Sequence, residues 1–436
     1  MDKQEFARRR QALMNLMSKG SIALLPTALE QIRNRDVHFP YRPDSNFYYL
    51  TGFTEPDALL VLIPERKQGQ YLLFCRERDP EKETWNGRRA GLEGACEHYG
   101  ADDAFPITDI DDIIPGLLES CKRVYYPMGC YLEFDEKVLG WINQLRDKSR
   151  TGVNAPREMV ALDHILHEMR LYKSPVELQA MQTAADIASR AHIRAMQCTR
   201  AGLYEYEIEA ELQHEFRRSG SSSPAYPSIV GTGENSCILH YTENTSILKE
   251  GDLLLIDAGA EYDYYASDIT RTFPVNGKFT DAQKAIYELV LKAQYAAIEQ
   301  ARPNNNWEAP HEAAVKVIAT GLVELGLLKG TAEEQIKSEG YKRFFMHRTG
   351  HWIGMDVHDV GDYKTDELWR RLEPGMTLTV EPGIYIPVSD DVDPKWWNIG
   401  IRIEDDVLIT AEGHLVLTAK TPKTVAEIEA LVGTGA

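Results

Sequence analysis

The sequence predicts two domains, an N-terminal α/β layer and a C-terminal α+β domain made of two similar halves. Three observations carry this. The chain has 436 residues, more than one hydrophobic core usually organises. Its first part alternates helical and strand-like patterns. Its second part repeats a strand motif that ends in an acid.

In the first part, a helical pattern runs from Glu5 to Ser18, and apolar strand candidates follow at Ile22–Leu25, Ala58–Ile63, Tyr71–Cys75 and Val124–Tyr126. A further helical stretch is expected from Glu158 to Leu171. It is followed by Lys173-Ser174-Pro175-Val176-Glu177, where Ser174 reads as an N-cap, Pro175 as the first helical position and Glu177 as the capping-box partner. The domain boundary is placed here, giving domains 1–172 and 173–436.

Amphipathic helices are expected near Pro175–Thr199, Thr280–Ala301 and Trp307–Leu325, interleaved with short strands. Within this region Gly251-Asp-Leu-Leu254-Leu-Ile256-Asp257-Ala-Gly259 echoes Gly375-Met-Thr-Leu378-Thr-Val380-Glu381-Pro-Gly383. Each copy is a turn glycine, an apolar strand, an acid at the strand end and another glycine. Each leads to a second acid, in Ser267-Asp268-Ile269-Thr270-Arg271 and in Ile401-Arg402-Ile403-Glu404-Asp405. Chance similarity between two buried strands is the plain alternative, but two hairpins with two acids apiece indicate a duplicated half-domain.

Composition excludes several function classes. The formal charge of −19 disfavours a nucleic-acid partner, whose binding depends on clustered Lys and Arg; the acidity otherwise serves solubility. No apolar run is long enough to span a bilayer, and the charged start (Lys3, Glu5, Arg8, Arg9, Arg10) has no signal-peptide core. A cytoplasmic protein without a membrane partner is expected. Six cysteines without a C-x-x-C pair read as reduced thiols rather than a disulfide framework or zinc site.

Side chains alternate along a strand, so Ile399, Ile401 and Ile403 can face a core while Arg402 and Glu404 face a cleft. Four carboxylates converging there would repel and desolvate one another unless cations neutralise them. Oxygen-rich ligands with an imidazole favour hard or borderline ions such as Mn²⁺. The glycine-punctuated segment from Phe345 to Asp359 offers His347, His351 and His358. A lone histidine is more often structural, but three between two acid-bearing hairpins point to a site.

These residues resemble the pita-bread metallopeptidases (the creatinase, prolidase and methionine aminopeptidase fold), and within them aminopeptidase P, the Xaa-Pro aminopeptidases. The resemblance spans essentially the whole chain. It rests on His240-Tyr-Thr-Glu-Asn244, Ile256-Asp-Ala-Gly259, Ser267-Asp-Ile-Thr-Arg271, His347 to Asp359, Val380-Glu-Pro-Gly-Ile-Tyr385 and Gly400-Ile-Arg-Ile-Glu-Asp405. Phe39 to Phe53 is similar to the opening domain of aminopeptidase P, which methionine aminopeptidases lack. The resemblance implies a creatinase-like N-terminal domain, then a pita-bread domain with pseudo-twofold halves. It implies Asp257, Asp268, His351, Glu381 and Glu404 as ligands of two divalent ions, Mn²⁺ being usual, with Asp268 and Glu404 bridging. Creatinases lack these ligands.

The activity implied is removal of an N-terminal residue that precedes proline. Two ions about 3.5–4 Å apart lower the pKa of a shared water, and Glu381 is expected to relay its proton to the departing nitrogen. His240, His347, His358, Tyr385 and Arg402 would line the substrate site, His358 reaching the scissile oxygen. For Arg402 a purely electrostatic role beside the carboxylates competes with substrate contact. Trp85 falls where related enzymes lend a tryptophan to a neighbouring subunit, in a homotetramer built as a dimer of dimers. The nearest rival is an Xaa-Pro dipeptidase, which must grip the proline carboxylate and block longer chains. A non-catalytic peptide-binding relative is the other, and retention of all five ligands opposes it.

Overall fold

The computed structural model describes residues 2–435. It divides into two compact units, the first ending at Met169 and the second beginning at Arg170.

The first unit is built on one mixed six-stranded sheet. Its strands run in the order Asp103–Pro106, Tyr71–Cys75, Leu59–Leu62, Ser21–Pro26, Arg123–Tyr126, Glu158–Ala161. The four expected strands are all present, and their buried faces carry Ile22, Leu24, Val61, Leu72, Phe74 and Val124 into a core closed by Trp141 and Ile142. The segment read as helical from Glu158 departs from that reading. Glu158–Ala161 pairs parallel with Arg123–Tyr126 as an edge strand, and the helix begins only at Asp163. Glu158-Met-Val-Ala161 is only four residues long, too short to separate a strand period from a helical one, so pairing with a neighbour decides its conformation.

In the second unit, two helix pairs each precede an acid-bearing hairpin. Pro175–Cys198 packs on Glu205–Arg218, ahead of the hairpin Leu253–Asp257 and Thr270–Pro274. Asp281–Ile298 packs on Glu308–Glu324, ahead of the hairpin Thr377–Val380 and Asp405–Ile409. The expected capping box is present: Glu177 accepts from the Ser174 backbone at 2.9 Å, with Pro175 in the first helical turn. The helix Glu205–Arg218 was not anticipated. The two halves meet where Glu404 N–H donates to the Thr270 carbonyl at 3.1 Å and Arg402 N–H to Thr272 Oγ1 at 3.2 Å. One apolar core, including Ile256, Ile269, Phe273, Val380, Ile401 and Ile403, runs through both.

Two buried groups tie this core to the acid-bearing turns. Asp359, at the end of the histidine segment, is clamped by Arg170 at 2.5 Å and Lys173 at 3.1 Å. His192, fully buried on the first long helix, donates Nε2–H to the Ala258 carbonyl at 3.0 Å, while its Nδ1 has no partner. A second proton there would be a buried, unpaired charge, so burial pushes the imidazole down to about 4. The unfolded chain therefore protonates this group first. Its stabilising contribution is complete above about pH 6.5 and is lost as pH falls through about 4. Replacing His192 with Gln should flatten the pH dependence of urea-unfolding stability between pH 7 and 4 by on the order of 3 kcal/mol.

Candidate metal centre

Each acid of the two hairpins sits where a strand starts or stops. Asp257 ends the strand Leu253–Asp257, and Asp268 lies just ahead of Thr270–Pro274. Glu381 follows Thr377–Val380, and Glu404 precedes Asp405–Ile409. Close backbone approaches make the convergence possible. A methyl group on Gly259 would lie 1.7 Å from the Ser267 carbonyl oxygen, so only glycine lets the turn after Asp257 close on Asp268. A methyl on Gly350 would lie 2.0 Å from the Thr379 carbonyl oxygen. That contact seats His351, whose N–H donates to Thr379 Oγ1 at 3.1 Å.

The His351 ring donates Nδ1–H to the Trp352 carbonyl at 2.9 Å. This leaves Nε2 facing Asp268 at 3.4 Å and Glu381 at 3.7 Å. Donor atoms of Asp268, His351 and Glu404 lie within 4.8 Å of one another. Asp257 and Glu381 flank them on the wall of a 440 Å³ cavity, which His240, His347, His358 and Arg402 also line. Ile229, Leu239, Pro227 and Val357 supply its apolar side.

Tyr385 stands behind this wall. Arg402 donates to the Tyr385 hydroxyl at 2.9 Å, and that hydroxyl lies 2.8 Å from His347 Nε2. His347 Nδ1 lies 2.7 Å from the Arg348 carbonyl, which can only accept. The polarity of the chain is thereby fixed: Arg402 donates to Tyr385, Tyr385 to His347, and His347 to a carbonyl. Burial and Arg402 hold His347 neutral, pushed down to about 4. Trp85 belongs to the first unit, on a short helix, Pro80–Asn86, and is 83% exposed. Asp79 and Pro80 start that helix, Asp79 capping two of its N–H groups.

Electrostatics test whether the cluster suits cations. Burial, with the neighbouring carboxylates, drives Glu404 well above the ordinary range. Burial likewise lifts Glu381 to about 7, and Asp268 is raised by burial and Asp257. Burial also acts upward on Asp257, but Arg402 at 2.7 Å overcomes it and holds this carboxylate ionised. His351 is pushed to about 9: burial lowers it, and the Asp268 and Glu381 carboxylates outweigh burial. A proton on the imidazole here does what a metal ion would do, placing positive charge among acids that cannot all ionise without it. An oxygen-rich donor set with one oriented imidazole fits a hard or borderline divalent ion.

Comparison with known proteins agrees with this chemistry. Residues 179–411 match Metallopeptidase family M24, and residues 6–125 match the aminopeptidase P N-terminal domain. The Xaa-Pro aminopeptidase of Escherichia coli (strain K12) is 47% identical, covering 99% of this chain and 98% of its own. A solved structure of Pseudomonas aeruginosa aminopeptidase PepP superimposes with a TM-score of 0.98 at 59% identity, over 99% of this chain and 98% of that one. The chain belongs to metallopeptidase family M24, in its aminopeptidase P branch. A zinc-substituted E. coli aminopeptidase P with product, 47% identical over 99% and 98% of the two chains, has a TM-score of 0.96. A divalent metal centre is therefore a property of this chain, and the two-domain α/β and pita-bread reading stands.

Three residues of the centre escaped the sequence reading. The Tyr226 hydroxyl bonds both Asp257, at 2.6 Å, and Asp268. Thr270 Oγ1 donates to Glu404 at 2.6 Å while accepting from Arg402 at 3.2 Å. Asp406 Oδ2 accepts the Asp268 N–H at 3.0 Å. Thr270 and Asp406 lie beside predicted ligands, so proximity was the available signal; Tyr226 is far from them in sequence and carried none. Raised carboxylates stabilise the fold below about pH 4.5, and that contribution is lost as pH rises, for Glu381 through about 7. In chelated protein this part of the stability should thus be lost toward neutral pH. Added Mn²⁺ should restore it, by about 2.7 kcal/mol at a hundredfold excess over Kd, with a Tm gain larger at pH 8 than at pH 5.5.

Proposed function

We propose that this chain is an Xaa-Pro aminopeptidase, hydrolysing the bond between an N-terminal residue and a penultimate proline. The carrying observation is the buried cluster of four acids and one imidazole on the wall of a cavity whose other side is apolar. Asp257, Asp268, His351, Glu381 and Glu404 would hold two divalent ions, Mn²⁺ by preference. Residues 173–436 form the catalytic domain in this reading.

Bound there, such ions would lower the pKa of a water and polarise the scissile carbonyl. The chain supplies the rest. Glu381, lifted toward neutrality by burial, is suited to take a proton from the attacking water and return it to the departing proline nitrogen. His358 and His240 stand exposed on the cavity lining, where an imidazole can reach the peptide oxygen. Tyr385 acts from behind the wall and Arg402 from within it: Arg402 keeps Asp257 ionised and fixes the Tyr385–His347 chain, and His347 forms the cavity wall beside Glu381 at 3.9 Å. Proline's tertiary amide has no N–H, so Ile229, Leu239 and Val357 can close on its ring without leaving a donor unsatisfied.

A cytoplasmic homotetramer, with Trp85 of one copy reaching the site of another, completes the assignment; exposure of Trp85 supports it. No helix among the described residues is long and apolar enough to cross a membrane, and nucleic acid is not a partner.

Manganese-dependent release of the first residue from Arg-Pro-Pro, with the Ala-Pro dipeptide a poor substrate, is the expected result. Preference for the dipeptide would move the assignment to an Xaa-Pro dipeptidase, and inertness toward both with every divalent metal would leave a peptide-binding module. Glu381→Gln, loaded with metal as confirmed by elemental analysis, should lose at least about a hundredfold in kcat; full activity would remove Glu381 from proton transfer.

A further inference from the structure

The cavity lining carries two guanidinium groups, and only one is spent. Arg402 is 3% exposed and donates to Asp257, Tyr385 and Thr270. Arg348 lies on the same lining with its side chain 46% exposed. It forks onto Glu308, NH1 reaching Oε1 at 3.1 Å and NH2 reaching Oε2. Its guanidinium also stands 5.1 Å from the Trp369 ring centroid. A guanidinium held by a carboxylate on one edge and an indole nearby has a set direction. The Glu308 fork uses two of its five N–H donors.

We propose that Arg348 is a specificity-determining residue that binds a carboxylate on the third residue of the substrate, the one following proline. This rests on the Xaa-Pro aminopeptidase reading of the same site. Every other charged group on the lining is a proposed metal ligand or the committed Arg402, so Arg348 is the cation a downstream carboxylate can meet. Reach agrees. Arg348 is three residues from His351, a Cα separation of at most about 11 Å, and an extended tripeptide spans about 10 Å. The opposite end of the substrate bears an ammonium group, which Arg348 repels, so the pairing also sets direction along the cavity. In a tripeptide the carboxylate is the C-terminus; in a longer chain it is an Asp or Glu side chain.

Wild type, Arg348→Gln and Arg348→Lys, all manganese-loaded, would be compared on Ala-Pro-Leu, Ala-Pro-Leu amide and Ala-Pro-Glu amide. Calorimetric binding of Pro-Leu and Pro-Leu amide gives a readout independent of turnover. Wild type should favour Ala-Pro-Leu over its amide by about five- to tenfold in KM with similar kcat. Gln should abolish that preference, and Lys should keep part of it. Rescue of the amide by the Glu side chain would assign recognition to carboxylates generally; no rescue would confine it to the C-terminus. Equal KM for acid and amide in wild type, or an equal rise for both in Arg348→Gln, would reduce Arg348 to a clamp between the histidine segment and the helix Glu308–Glu324, and overturn the proposal. Should wild type cleave none of the three, the aminopeptidase reading falls, and tighter binding of Pro-Leu than of its amide, lost in Arg348→Gln, still decides for or against Arg348.

Discussion

Mutual repulsion among four crowded carboxylates, Asp268 and Glu404 buried and Asp257 and Glu381 half-buried, is the constraint around which the second unit is arranged. Asp257, Asp268, Glu381 and Glu404 are brought together by strands that belong to one apolar core, where ionising them unaided is expensive. The chain answers partly with its own donors: Arg402 and Tyr226 on Asp257, Tyr226 and the imidazole of His351 on Asp268, Thr270 on Glu404. These do not suffice, since burial still pushes Glu404 and Glu381 upward. The remaining charge imbalance is what a divalent cation corrects, so the capacity to bind metal and the strain of the metal-free fold have one physical origin.

A second shell of buried charge keeps that arrangement rigid. Arg271 uses all five donors: Nε to the Pro422 carbonyl, NH1 to the Thr270 and Glu404 carbonyls, NH2 to Asp405 and the Thr421 carbonyl. It thereby ties the strand after Asp268 to the residue Glu404 itself. Asp405, also bound by Lys423 at 2.6 Å, is held down to about 2 against its burial. On the other side, Arg170 and Lys173 grip Asp359 and so anchor the segment that carries His351 and His358. Paired in this way, each buried charge holds its partner in place, because removing one leaves the other uncompensated.

The duplication explains how one modest motif yields a site with acids from both halves. Each half contributes a hairpin with one acid on either side of its turn, and the hairpins abut through Thr270, Thr272, Arg402 and Glu404. Neither half could assemble the cluster by itself. The histidine segment then enters between them, admitted by the absence of a side chain at Gly350.

The sequence by itself determined an α/β domain followed by an α+β domain of duplicated halves, the strands with strong apolar character, the capping box at Ser174, and which acids and histidines belong together. Those features are local patterns or a repeated motif, and both survive in one dimension. What it misjudged or missed was decided by neighbours. Glu158–Ala161 is a strand because Arg123–Tyr126 offers an edge. Tyr226 bridges Asp257 and Asp268 because Gly259 lets two turns meet. The direction of the Arg402–Tyr385–His347 chain and the exposure of Arg348 also belong to the tertiary structure alone, because hydrogen-bond polarity and access to a cavity depend on what packs behind a side chain.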